Sequence, residues 1–110
     1  METGQRVLVV DDETSIRRYL RAALTAQGLT VYEAADGQEA LNAVLAHRPD
    51  LIILDLGLPD IDGIEVTRRL REWSQTPIII LSVREAEQDK IAALDAGADD
   101  YLTKPFGTGE

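Results

Sequence analysis

A doubly wound α/β domain on a five-stranded parallel sheet is the fold class this sequence predicts. Two observations carry it. Val7-Leu8-Val9-Val10, Leu51-Ile52-Ile53-Leu54 and Ile78-Ile79-Ile80-Leu81 are apolar at every position, as strands covered on both faces are. Between them lie segments with apolar residues at helical spacing, so strand and helix patterns alternate along the chain. The length, 110 residues, is that of one domain, and residues 1–110 are read as a single unit.

The elements follow in order. The first strand covers residues 7–10. A helix starts at Thr14 or Ser15, either of which can cap it, carries Ile16, Leu20, Ala23 and Leu24 on one stripe, and stops at Gly28. Residues 31–34 form a weaker, more polar strand. Asp36-Gly37 turns into a second helix with Leu41, Val44 and Leu45, ending at His47-Arg48 before Pro49. The third strand, residues 51–54, leads to a helix over about residues 63–74, with Val66, Leu70 and Trp73 facing the core. The fourth strand, residues 78–81, leads to a helix over about residues 85–96, with Ile91 and Leu94 inward and Gly97 as its stop. Residues 100–103 form a short fifth strand. Right-handed crossovers and weak second and fifth strands favour the flavodoxin-like order 2-1-3-4-5. In such a sheet the site lies at the carboxyl ends of the central strands.

Composition removes several classes of function. There is no cysteine, hence no disulfide scaffold, thiolate zinc site or cysteine nucleophile. The lone histidine, His47, rules out a two-histidine metal site and is read as an exposed helix-end residue. A net charge of −9 argues against direct DNA or RNA binding, which needs clustered Lys and Arg. The apolar runs are of strand length, far below the ~20 residues of a membrane span, and residues 1–6 do not resemble a targeting segment. A soluble, cytoplasmic protein is the default expectation.

The strand ends hold the chemistry. The first ends in Asp11-Asp12-Glu13, the third in Asp55, the fourth in Ser82 and the fifth in Lys104-Pro105. Carboxylates about 4 Å apart repel by roughly 4 kcal/mol at an effective dielectric near 20, and a divalent cation cancels that repulsion. Carboxylate oxygens, a backbone carbonyl and retained waters are what Mg²⁺ prefers; Asp12 and Asp55 can supply the first oxygens and a carbonyl just after Asp55 another. Lys104 and Ser82 can hold further oxygens of a phosphoryl group, whose transfer needs chiefly positioning and charge neutralisation. The Asp55 carboxylate is then the natural acceptor.

The runs Val9-Val10-Asp11-Asp12-Glu13, Leu54-Asp55 with Leu58-Pro59-Asp60-Ile61-Asp62-Gly63, Leu81-Ser82, and Asp99-Asp100-Tyr101-Leu102-Thr103-Lys104-Pro105-Phe106 resemble response-regulator receiver domains of the CheY-like kind over essentially the whole chain. The last run resembles the OmpR/PhoB subfamily. The segments 55–60 and 90–102 resemble its regulators of potassium transport. The resemblance implies that Asp55 accepts a phosphoryl group from a histidine kinase. It implies that Asp12, Asp55 and the carbonyl of Gly57 bind Mg²⁺, with Asp11 acting through water, and that Lys104 pairs with the acceptor. Ser82 and Tyr101 then serve as the switch, and the Lys104-Pro105 bond is cis. It also implies homodimerisation in the full-length protein through the fourth helix and fifth strand, with Lys90, Asp95, Asp99, Asp100 and Glu110 on that face. Transcription is then controlled through a DNA-binding effector domain outside this chain.

Simpler readings compete. Asp11-Asp12 can cap a helix, Asp55 and Gly57 can be turn residues, Ser82 can cap the helix that follows it, and Asp60 and Asp62 are explained by loop chemistry around Gly63. Two departures stand out. Val83 occupies a place that the family usually fills with Ala or Gly, which implies narrower access to a phosphorylated Asp55. Sequence for a full fifth helix is missing, and with it the arginine that should meet the aspartates of the dimer face. This suggests a C-terminally truncated receiver with apolar surface on the fourth helix and fifth strand left bare. Among rivals, a Mg²⁺-dependent aspartyl-phosphate phosphatase of the haloacid-dehalogenase type needs an Asp at the position of Gly57. A flavodoxin-like FMN protein needs a phosphate loop where this chain has Asp11-Asp12-Glu13. A pseudo-receiver that binds partners without phosphorylation is opposed by Asp12, Asp55 and Lys104. The leading reading is a signalling module that modifies itself at Asp55 rather than an enzyme with an external substrate.

Overall fold

The computed structural model describes residues 4–104. Its elements are β1 (Arg6–Val10), α1 (Thr14–Ala26), β2 (Thr30–Ala34), α2 (Gly37–His47), β3 (Leu51–Leu54), α3 (Gly63–Arg71), β4 (Ile78–Ser82), α4 (Glu87–Ala96) and β5 (Asp100–Thr103). The strands form one parallel sheet in the order β2-β1-β3-β4-β5. A fifth helix, the Lys104-Pro105 bond and Glu110 fall outside the described residues.

Alternation along the strands divides the apolar side chains between two faces. Leu8, Val10, Ile52, Leu54, Ile78, Ile80 and Tyr101 join Val44, Val66, Leu70 and Ala93 in the larger cluster. Val7, Val9 and Val31 pack on the other side with Leu20, Leu24, Leu29, Leu51 and Ile53. α1 covers that second side without burying any residue completely, and Leu102 on β5 stays 49% exposed. Arg17 and Arg21 of α1 pair with Glu33 of the edge strand β2. Those guanidinium groups, Arg21 foremost, hold the Glu33 carboxyl below its ordinary range despite partial burial.

Several local expectations fail for identifiable reasons. Neither Thr14 nor Ser15 caps α1: Thr14 is already helical, and Glu13 holds the cap position without a side-chain hydrogen bond. Ala23, placed on the inward stripe, is exposed, because α1 meets the sheet through the longer Leu20 and Leu24. α3 ends at Arg71, short of residue 74, so Trp73 leaves the helical stripe and is 47% exposed. It lines a groove of about 410 Å³ with Leu45, Arg48 and Thr76, at the end of the sheet opposite Asp55. α4 begins at Glu87 because residues 83–86 remain in the loop, and its contact with the core is made by the small Ala93. Ile91 and Leu94, expected inward, flank that contact at 50% and 38% exposure. His47 is half-buried and stacks on Tyr32, ring centroids 3.9 Å apart.

Gly63 shows why a glycine opens α3. A Cβ there would lie 2.5 Å from the Asp55 carbonyl oxygen and 2.6 Å from Leu56 Cα. The helix therefore rests directly on the backbone that carries Asp55.

Candidate functional site

The residues at the strand ends are held by the sheet's own hydrogen bonding, carried one step past each strand. The Asp11 N–H donates to the Ala34 carbonyl at 3.1 Å, Asp55 N–H to Val10 at 2.9 Å, and Lys104 N–H to Ser82 at 2.8 Å. Three side chains that carry charge are thus positioned by backbone geometry set in the core.

Asp11 and Asp55 are buried, at 2% and 7% exposure, whereas Asp12 faces solvent. Oxygen atoms from the three lie within 4.8 Å of one another. Lys104 Nζ, its side chain 5% exposed, sits 2.9 Å from Asp11 Oδ2, 3.4 Å from Glu13 Oε1 and 3.7 Å from Asp55 Oδ2. Its closest partner is therefore Asp11 rather than Asp55. Burial, followed by the charge of Asp11, pushes the Asp55 carboxyl above its ordinary pKa, against the pull of Lys104 and the N–H groups of Gly57 and Leu56. Burial alone would lower the Lys104 pKa. The hydrogen bond to Asp11 and the charges of Asp55, Asp11 and Glu13 outweigh it and raise the pKa.

The donor set suits a hard divalent cation: it offers carboxylate oxygens, two of them on buried groups, and one exposed aspartate beside open solvent. Asp11 adds its charge to the effect of burial in raising the Asp55 pKa, against the pull of Lys104, and a divalent cation would oppose both. Gly57 is exposed, and a Cβ built on it would lie 3.9 Å from Asp55 Oδ2, so the position beside Asp55 is open.

On the neighbouring strand Ser82 is buried, and its Oγ accepts the Arg84 N–H at 3.1 Å. It does not cap α4, which starts five residues later. Tyr101 is buried, and its hydroxyl donates to the Arg84 carbonyl at 2.7 Å; burial above all raises the pKa of that hydroxyl. Val83, the residue after Ser82, stands 70% exposed.

The adjoining loop is fixed by its aspartates. Asp60 accepts from the Gly37 and Gln38 N–H groups at 2.7 and 2.9 Å, joining the β3–α3 loop to the start of α2. Asp36 caps α2 through Glu39 N–H and Asp62 caps α3 through Ile64 N–H. Asp60 and Asp62 therefore have structural partners of their own. Lys90, Asp95, Asp99 and Asp100 lie at the surface, fully or partly exposed. Asp99 is also bound within the chain, by Ile78 N–H at 2.8 Å and Arg71 at 3.0 Å, so an arginine from α3 meets it. Sequence reasoning missed Arg84, which joins Ser82, Tyr101 and Asp62, because only the folded loops bring these together.

A doubly wound parallel sheet with buried aspartates, a lysine and a hydroxyl at its carboxyl edge is the architecture of a signalling receiver, and the response regulator receiver domain family matches residues 7–110. The chain belongs to that family. It is 62% identical over 104 residues to the KDP operon transcriptional regulatory protein KdpE of Escherichia coli, covering 94% of this chain and 46% of that protein. The transcriptional regulatory protein KdpE of Mycobacterium tuberculosis is 56% identical over the same shares. The chain thus spans about half the length of these relatives. Among solved structures, the receiver domain of the Francisella response regulator 1452 superposes with a TM-score of 0.88 at 38% identity, over 94% of this chain and 87% of that one. The chemotaxis protein CheY4 of Vibrio cholerae gives 0.89 at 37% identity, over 96% and 90%.

Proposed function

We propose that this chain is the phosphoacceptor module of a KdpE-like transcriptional regulator, taking a phosphoryl group onto Asp55 from a KdpD-like histidine kinase. The observation that carries the reading is the convergence of Asp11, Asp12, Asp55 and Lys104 at one sheet edge, with Ser82 one strand away. In the transfer, an Asp55 carboxylate oxygen forms a bond to phosphorus while the bond from phosphorus to the donor histidine nitrogen breaks. The electron pair of that bond stays on the imidazole. Lys104 neutralises charge beside the acceptor, and Ser82 offers its hydroxyl to a phosphoryl oxygen. Mg²⁺ would be held by Asp12, Asp55 and the Gly57 carbonyl, with Asp11 acting through water, and would supply charge neutralisation for the incoming phosphoryl oxygens.

Tyr101 and Ser82 then bias the face made by α4 and β5. Exposed Ile91, Leu94 and Leu102, with Lys90, Asp95, Asp99 and Asp100 around them, suit pairing of two copies in the longer protein. Glu110, assigned to the same face, lies beyond the described residues. DNA contact is assigned to an effector domain outside this acidic chain, and the working compartment to the cytoplasm. No helix among the described residues is long and apolar enough to cross a membrane.

The test is intact mass after incubation with a small phosphodonor, with and without Mg²⁺, beside Asp55→Asn. A Mg²⁺-dependent gain of one phosphoryl group, lost in the variant, is expected. No gain in a folded sample would favour a module that binds partners without phosphorylation.

Val83 adds a kinetic expectation. If its isopropyl group, exposed directly after Ser82, obstructs attacking water, Val83→Ala should shorten the lifetime of phosphorylated Asp55 by about threefold to tenfold, a barrier change of about 1 kcal/mol. Time-resolved phosphate release reads it, and an unchanged lifetime removes Val83 from consideration.

A further inference from the structure

Arg84 gathers four neighbours. Its N–H donates to Ser82 Oγ and its carbonyl accepts the Tyr101 hydroxyl. Its guanidinium pairs with Asp62 at 2.8 Å and reaches Asp89, in the first turn of α4, at 3.8 Å. Asp62 is also the residue that caps α3 at the end of the loop running from Asp55. The backbone of Arg84 thus touches both switch residues while its side chain is tied to the acceptor loop.

We propose that Arg84 is a positioning residue: its ion pair with Asp62 holds the β4–α4 loop where the Arg84 carbonyl captures Tyr101, so the tyrosine is drawn inward before any phosphoryl group arrives. The significance of this, though not its test, rests on reading Asp55 as the phosphoacceptor. Magnitude favours a conformational role over a stabilising one. Arg84 and Asp62 side chains are 34% and 43% exposed, and ion pairs this open add little to global stability. A loop poised between two arrangements needs only a small bias to change its populations several-fold. The pair also couples directly to α4 through Asp89, so movement of the acceptor loop is passed to the α4–β5 face by a single side chain.

The test uses the unphosphorylated chain without Mg²⁺, labelled with 3-fluorotyrosine, the Tyr101 resonance being assigned by its loss in Tyr101→Phe. Asp62→Asn removes the charge while keeping a good helix cap, and Arg84→Gln removes the other partner. Each is expected to lower the inward-to-outward ratio of Tyr101 about threefold, and the double variant no further, as for two halves of one interaction. Arg84→Lys, which keeps a cation, should recover part of the ratio. Urea unfolding midpoints should stay at the parent value. An unmoved Tyr101 signal in both single variants, additive effects in the double variant, or a fallen midpoint without a Tyr101 shift overturns the proposal. Because the readout needs no phosphorylation, failure here is distinct from failure of the phosphoacceptor reading.

Discussion

Replacing Lys104 by alanine is expected to destabilise the chain by about 3 kcal/mol at pH 7, the scale on which one partner of a buried ion pair is lost. The ammonium is nearly enclosed and faces two buried carboxylates, Asp11 at 2.9 Å and Asp55 at 3.7 Å. Without it their charges remain buried together with only backbone N–H groups to offset them. Lys104→Met keeps most of the aliphatic stem and should share most of the loss, which separates charge from packing. The pH dependence follows from the sign of the shift. The folded pKa of Lys104 is raised, so its contribution is fully present below the unfolded lysine value of about 10.4 and is lost only as pH rises through the higher folded value. In the variants the deficit should shrink on acidification, as the stranded carboxylates take up protons. Urea unfolding from pH 5 to pH 8 measures the shrinking deficit; a deficit independent of pH would mean that packing, not charge, explains the loss.

The opposite sign is expected for Asp55→Asn, which should stabilise the fold by about 1 kcal/mol at pH 7 while abolishing phosphoryl acceptance. For a domain this small that raises Tm by about 4–8 °C. The folded pKa of Asp55 is raised by burial and by Asp11. The protonated form is therefore favoured on folding, and stability declines as pH climbs from the unfolded aspartate value, about 3.9, through the folded one. Above that window the ionised carboxylate opposes folding, and the amide removes the opposition. Below it the two proteins should converge. Differential scanning calorimetry across this range decides the matter, and a variant less stable than the parent at neutral pH contradicts the account. A parent less stable than the variant where Asp55 is charged would mark a group placed for chemistry rather than for stability.

The sheet was legible from sequence because Val7 to Val10, Leu51 to Leu54 and Ile78 to Leu81 are apolar on both faces, a pattern that few other environments accept. The meeting of Asp11, Asp12 and Asp55 was legible because β1 and β3 are adjacent, so residues just past them must be neighbours; Lys104, two strands beyond β3, reaches them with its long side chain. Helix faces were less legible. Trp73 continues a periodic stripe, but periodicity does not say that α3 stops at Arg71. Ile91 and Leu94 are large and apolar, yet the sheet meets α4 at Ala93. Arg84 gave no sign at all, since two of its partners lie 22 residues back at Asp62 and 17 ahead at Tyr101. Long-range pairing of surface loops leaves no local pattern to read.

The backbone bonds that seat Asp11, Asp55 and Lys104 belong to the sheet and not to the loops that follow. Anchorage and variability are therefore separated by a single peptide unit. Exposed positions in the loops after Asp55 and Ser82 can change residue type without shifting Asp11, Asp55 and Lys104, provided Gly63 keeps its close contact with the Asp55 backbone. Such an arrangement lets a receiver domain vary its loops while the charged side chains at its sheet edge keep their places.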